Sequence, residues 1–101
     1  MIVVHFKVKC QPDKAEQVMA AYEDVIAPSR ALEGVISFEI CRDVADPDSF
    51  IGTEVFDDRA ALERNALLPE VAKVYGLLEE SLVADPEGTI FEVASSERMV
   101  V

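Results

Sequence analysis

Residues 2–10, IVVHFKVKC, alternate: Ile2, Val4, Phe6, Val8 and Cys10 share one side of an extended chain, while Val3, His5, Lys7 and Lys9 share the other. This period of two predicts a first strand with one wholly apolar face. Gln11-Pro12-Asp13 interrupts it, and Asp13 with Glu16 three residues on has the spacing of a capping box, with Asp in the hydroxyl role. The helix that starts there carries Ala15, Val18, Tyr22, Val25 and Ile26 along one stripe. Pro28 is expected to set its end, because a proline pushes the residue before it out of helical geometry.

From Val35 to Asp43 the alternation returns, with Ile36, Phe38 and Ile40 against Ser37, Glu39 and Cys41, which predicts a second strand with a mixed face. Ala45-Asp46-Pro47-Asp48 is turn chemistry, so Phe50 to Phe56 is read as the return strand of a hairpin. Gly52 inside that strand marks a bulge or a close approach to the backbone, and the packing role is the favoured reading. Asp57 or Asp58 can cap a helix bearing Ala61, Leu62, Asn65 and Ala66 on one side. Pro69 suits the first position of a fresh helical segment, whose stripe of Val71, Val74, Tyr75, Leu78 and Leu82 runs to Asp85-Pro86-Glu87-Gly88. Thr89 to Ala94 is read as the last strand, followed by a tail, residues 95–101, that ends in Met-Val-Val and is expected to dock on a partner.

The order βαββαβ is that of a ferredoxin-like α+β fold, an antiparallel four-stranded sheet covered by helices on one face. Val3 beside Val4, Val35 beside Ile36 and Phe50 beside Ile51 put apolar residues on both faces of the strands, more than a half-solvated sheet needs. The uncovered face is therefore expected to meet a second sheet in a two-fold homodimer. A length of 101 residues fits one domain, with a core at 2–94 and the tail beyond it.

Charge narrows the partners. Nine Lys and Arg against 20 Asp and Glu leave a net charge of −11, which disfavours nucleic acid and anionic lipid but suits a neutral or cationic ligand. The first strand follows Met1 directly, with no room for a secretory leader, so a cytoplasmic location is expected. No apolar run approaches the roughly 18 residues that span a bilayer. Cys10 and Cys41 stand apart from any CxxC or His-rich pattern and are expected to be buried, reduced thiols, with no metal site.

Several short stretches together carry a family likeness: Ala27-Pro28-Ser29-Arg30, Leu32-Glu33-Gly34-Val35, Ser37-Phe38-Glu39, Arg42-Asp43, Asp46-Pro47-Asp48, Glu54-Val55-Phe56-Asp57-Asp58 and Ala61-Leu62-Glu63. Over residues 2 to 93 the chain resembles the antibiotic biosynthesis monooxygenase family. The resemblance implies a dimeric α+β barrel with a pocket between sheet and helices in each subunit. It also implies oxygenation of a quinol or polyketide-like aromatic by dioxygen without metal, flavin or other cofactor. Phe56 stands where members often carry Trp, keeping the apolar plate without the indole donor, and Asn65 and Glu70 stand where many relatives carry His. Haem-degrading relatives need a helical His that is absent here, so haem breakdown is not expected.

Against that background, His5, the one histidine, is the candidate general base for a phenolic or enolic proton; a histidine bonded to a neighbour at an interface is the structural alternative. Asn65 is the candidate oxyanion donor, or else a local helix-end residue. Phe56, Tyr75 and Tyr22 are candidate substrate contacts, although aromatics at helical spacing more often belong to a core. Glu39 and Glu54 on one hairpin would form an acid-base pair if the register set them side by side; otherwise they are solvated carboxylates paired with Arg42 or Lys7. Arg30 is expected to bond helix carbonyls or an acidic neighbour. Beyond oxygenation, the same barrel would suit isomerisation of a small carbonyl compound, or a non-catalytic ligand-binding or assembly module.

Overall fold

A computed structural model describes residues 1–101, and its elements follow in the order β1 (Ile2–Lys9), α1 (Ala15–Arg30), β2 (Val35–Asp43), β3 (Asp46–Phe56), α2 (Arg59–Ala66), α3 (Pro69–Ser81) and β4 (Glu87–Glu92). The strands form one antiparallel sheet in the order β2-β3-β1-β4. The helices cover one face of it, giving the expected ferredoxin-like α+β arrangement. No helix is long and apolar enough to cross a membrane.

Strand β1 is central, pairing Phe6 with Gly52 on β3 and with Gly88 on β4. Its even-numbered residues face the helices. Val8 and Phe50 join Val18, Tyr22 and Val25 of α1, Phe38 of β2, and Val71, Val74 and Leu78 of α3 in the main core. A smaller cluster of Ile2, Phe56 and Ala61 sits beneath α2. Full burial of side chains of this size contributes roughly 1.5–3 kcal/mol each.

Local structure departs from the sequence expectations at defined points. The N-cap of α1 is Lys14, which makes no side-chain capping bond, so the helix starts one residue too late for Asp13 and Glu16 to form a box. Helix α1 also runs through Pro28 to Arg30. The missing proline N–H costs one intrahelical bond, but Ser29 is fully buried and receives a hydrogen bond from Asn65 Nδ2 at 2.7 Å, which holds the last turn in place. The hairpin turn is Val44-Ala45 rather than Ala45 to Asp48, because Asp43 pairs with Asp46. Asp46 instead accepts from Ser49 Oγ (2.8 Å) and the Asp48 amide (3.1 Å), bonds that lower its carboxyl pKa. Strand β4 starts at Glu87 and ends at Glu92, two residues earlier at each end than expected. Cys10 is buried, which raises its thiol pKa, whereas Cys41 is exposed on the open face of the sheet and not buried as expected.

Other expectations hold. Asp58 caps α2 by accepting from the Ala61 amide at 2.9 Å, and Pro69 opens α3. Replacing Asp58 with alanine should lower stability by about 1 kcal/mol in a urea titration. Gly52 lies in unbroken register with both neighbours, so it is a packing glycine; the register shifts fall at Val35/Ser37 and Arg42/Asp43. The Phe6 ring occupies the space that a side chain at residue 52 would need.

Candidate functional site

Between α3 and the strands β1 and β4, the helix-facing side of the sheet is not filled by core. The gap is a cavity of about 860 Å³, and seventeen of its 25 lining residues are hydrophobic. This is within the size range of sites for drug-sized molecules. Its floor is the sheet, with Val4 and Phe6 of β1, Phe38 and Ile40 of β2, and Glu54 of β3. Its walls are Tyr22 of α1, Asn65 of α2 and Val74 and Tyr75 of α3, and the 82–90 segment forms the mouth.

Glu54 is the polar group that this floor presents. Strand alternation puts it on the same face as Phe50, Gly52 and Phe56, opposite Val4 on β1 and Phe38 on β2. Burial against apolar neighbours pushes its carboxyl from 4.5 up to about 7, and no cation stands near enough to pull it back. A carboxyl that changes charge near neutrality can take a proton from a weakly acidic ligand and return it.

The surrounding polar groups are sparse. Tyr22 is packed between Phe6 and Phe50 at ring distances of 5.9 and 5.6 Å. Its phenol pKa is raised by burial first, then by the charges of Cys10, Tyr75 and Glu54, so it stays a neutral hydroxyl at any physiological pH. Tyr75 is mostly exposed at the rim. Asn65 is buried, and because one of its N–H groups is committed to Ser29, the other donor and the carbonyl oxygen remain for a ligand.

The structure therefore brings Asn65, Tyr22 and Tyr75 to one cavity and leaves two other candidates outside it. His5 lies on the opposite face of the sheet, exposed, with Nδ1 3.2 Å from Thr53 Oγ1. The odd-numbered positions of β1 point away from the helices, so His5 cannot reach a ligand in the cavity of its own chain. Phe56 is fully buried against Ile2 and Ala61 under α2, where it is core and not a cavity wall. Glu39 and Glu54 do not sit side by side either. Glu39 pairs with Thr53 and Glu54 with Phe38, which puts the two carboxylates on opposite faces. Arg42 bonds Glu16 at 2.8 Å and Lys7 lies 3.4 Å from Asp43, so neither pairs with Glu39 or Glu54. Arg30 does meet an acidic neighbour, binding the Phe38 carbonyl (3.0 Å) and Glu39 (2.9 Å) around the edge of the sheet.

Glu54 had a signal in the sequence that pairing it with Glu39 obscured. Phe50, Gly52, Glu54 and Phe56 fall two apart, so a carboxylate stands on a face otherwise made for the core.

Comparison with known proteins follows the same lines. An uncharacterized protein of Synechocystis, sll1783, is 31% identical over 98 residues, which are 97% of this chain and 67% of that protein. The candidate monooxygenase YcnE of Bacillus subtilis is 29% identical over 63 residues, 62% of this chain and 66% of YcnE. Both relatives thus extend about a third of their length beyond the matched region. Among solved structures, a candidate antibiotic biosynthesis monooxygenase from Deinococcus radiodurans superposes with a TM-score of 0.88 at 20% identity, covering 100% of both chains. Rv0793 from Mycobacterium tuberculosis superposes with a TM-score of 0.86 at 18% identity, covering 96% of this chain and 98% of that one. At such identities the likeness speaks for the fold. The sequence model described as antibiotic biosynthesis monooxygenase matches residues 1–73, and the chain belongs to that family.

Proposed function

We propose that this protein is a cofactor-independent monooxygenase that oxidises a quinol or polyketide-like aromatic with dioxygen inside the cavity. The observation that carries the reading is Glu54, the one carboxyl on the floor of a largely apolar cavity, where burial pushes its pKa up to about 7. Its ionised form removes a proton from a phenol or an activated methylene. The resulting carbanion is electron-rich enough to reduce dioxygen. Carbon-oxygen bond formation gives a peroxide, whose O–O bond breaks with loss of water to leave a carbonyl. A methylene plus O₂ thus becomes C=O plus H₂O, and the substrate supplies all four electrons. Asn65 and Tyr75 are the groups able to hold the developing oxyanion.

The test is oxygen uptake with an anthrone as probe, in chelator and without flavin. The expected result is one O₂ consumed per quinone formed, with no free peroxide. Accelerated proton exchange into a carbonyl probe without oxygen uptake would favour the isomerase reading, which uses the same base.

The uncovered face of the sheet supports a homodimer. Val3, Ile51 and Val55 share that face half-buried, with Phe91 half-exposed beside them, and no helix covers them. Ile51→Glu should convert a dimer to a monomer in sedimentation or light scattering while leaving helical content unchanged. A monomeric wild-type protein would overturn the assignment.

A further inference from the structure

The chemistry of the cavity wall restricts what can enter it. Besides Glu54, the charged residues that line it are Glu79 of α3, Asp85 in the connection after it and Glu87 of β4; no Lys, Arg or His does so. The remaining titratable groups that face Glu54 are Tyr22 of α1, held as a neutral phenol by its burial, and Tyr75 of α3. Cations on the neighbouring strands are held elsewhere, Lys7 by Asp43, Lys9 by Asp46 and Arg42 by Glu16. The fold therefore leaves one carboxylate among apolar residues with no counter-charge, a costly state for a buried ion. Around it lie the rings of Phe6, Phe38 and Tyr22, whose faces attract cations.

Resting on the reading that this cavity is the substrate site, we propose that it selects a flat apolar ligand bearing a protonated amine, for which Glu54 is the counter-ion, and rejects ligands bearing a carboxylate or phosphate. The ammonium group supplies the charge that the protein withholds, and its N–H groups find the Glu54 carboxylate and the Tyr22 and Tyr75 hydroxyl oxygens. A neutral aromatic fills the same space but supplies no counter-charge to the carboxylate. An anion meets four acidic side chains and no cation.

Three probes of one shape test this by calorimetry: 1-naphthylmethylamine, 1-naphthalenemethanol and 1-naphthoate. At about pH 8 the amine should bind about tenfold more tightly than the alcohol, and the naphthoate about tenfold more weakly. Below pH 7 the amine affinity should fall towards that of the alcohol, by up to about tenfold per pH unit, with uptake of a proton by the buffer on binding. Glu54→Gln should erase the amine's advantage. Glu63→Gln, which removes the same charge from an exposed site on α2, should leave it intact and so separate local pairing from the overall negative charge. An advantage that survives in Glu54→Gln, or naphthoate binding as tight as the alcohol's, overturns the proposal. Anthrone oxidation measured in parallel keeps the two readings apart. Oxidation without an amine preference removes only the ligand class, whereas amine preference without oxygen uptake removes only the oxygenase chemistry.

Discussion

Glu54→Gln should lower oxygenation by about 10²–10⁴-fold, the usual contribution of a positioned base, while making the protein more stable above neutral pH. In the wild type, kcat/KM should rise with pH through about 7, as the carboxyl ionises, and the residual activity of the variant should show no such step. The stability effect has the opposite sign. An unfolded chain releases the Glu54 proton near 4.5, but the folded one keeps it until about 7. Below pH 4.5 both states are protonated and nothing is lost. Between 4.5 and 7 the unfolded state gains by ionising, so folding stability falls, and above 7 the full penalty remains. Glutamine carries no such penalty, so the variant should exceed the wild type by about 1–3 kcal/mol at about pH 8.5 and match it at about pH 4.5. Urea titrations at the two pH values measure this; equal stabilities at the higher one would show that Glu54 ionises as freely as in water.

Gly52→Ala should be the most damaging single-methyl change in the sheet, costing about 3 kcal/mol or more. An added Cβ would fall inside the Phe6 ring, which Tyr22 holds from the other side at 5.9 Å. The ring would have to swing into the cavity, so ligand binding should be lost along with stability. Gly88 gives an internal control, because it faces the same Phe6 from β4 but an added Cβ would meet Phe6 Cβ at an ordinary 3.8 Å. Gly88→Ala should therefore cost well under about 1 kcal/mol. Phe6→Ala should restore part of the loss when combined with Gly52→Ala, a coupling that a double-mutant cycle detects. Equal costs at the two glycines would remove the steric explanation.

Strand alternation and turn chemistry made the architecture legible, because each strand carries an apolar face and each helix a stripe. Ends were less legible. Helix α1 outlasts Pro28 through a bond between Ser29 and Asn65, 36 residues apart, and no local rule anticipates a contact of that range. The site is legible only in part, for a related reason. Asn65, Tyr22 and Tyr75 reach the cavity because helical stripes face the sheet. His5 is the one histidine, but its companions Val3, Lys7 and Lys9 mix apolar and charged residues and leave its face open in the sequence; the sheet register puts it away from the helices. Residue type alone points to His5 and to a Glu39–Glu54 pair, whereas strand parity puts His5 and Glu39 on one face and Glu54 on the other. Which carboxylate faces inward depends on strand parity, whereas how far its pKa rises depends on the walls that three helices build around it.

The place of β1 in the sheet also shapes how the chain reaches its native state. The first strand of the fold lies between β3 and β4, and its Ile2 pairs with Glu92 of the last strand. Only the β2-β3 hairpin can form from neighbouring residues, so loop closure over most of the chain precedes completion of the sheet. A chain that stops short of Glu87 therefore leaves one edge of β1 exposed and the cavity without its mouth.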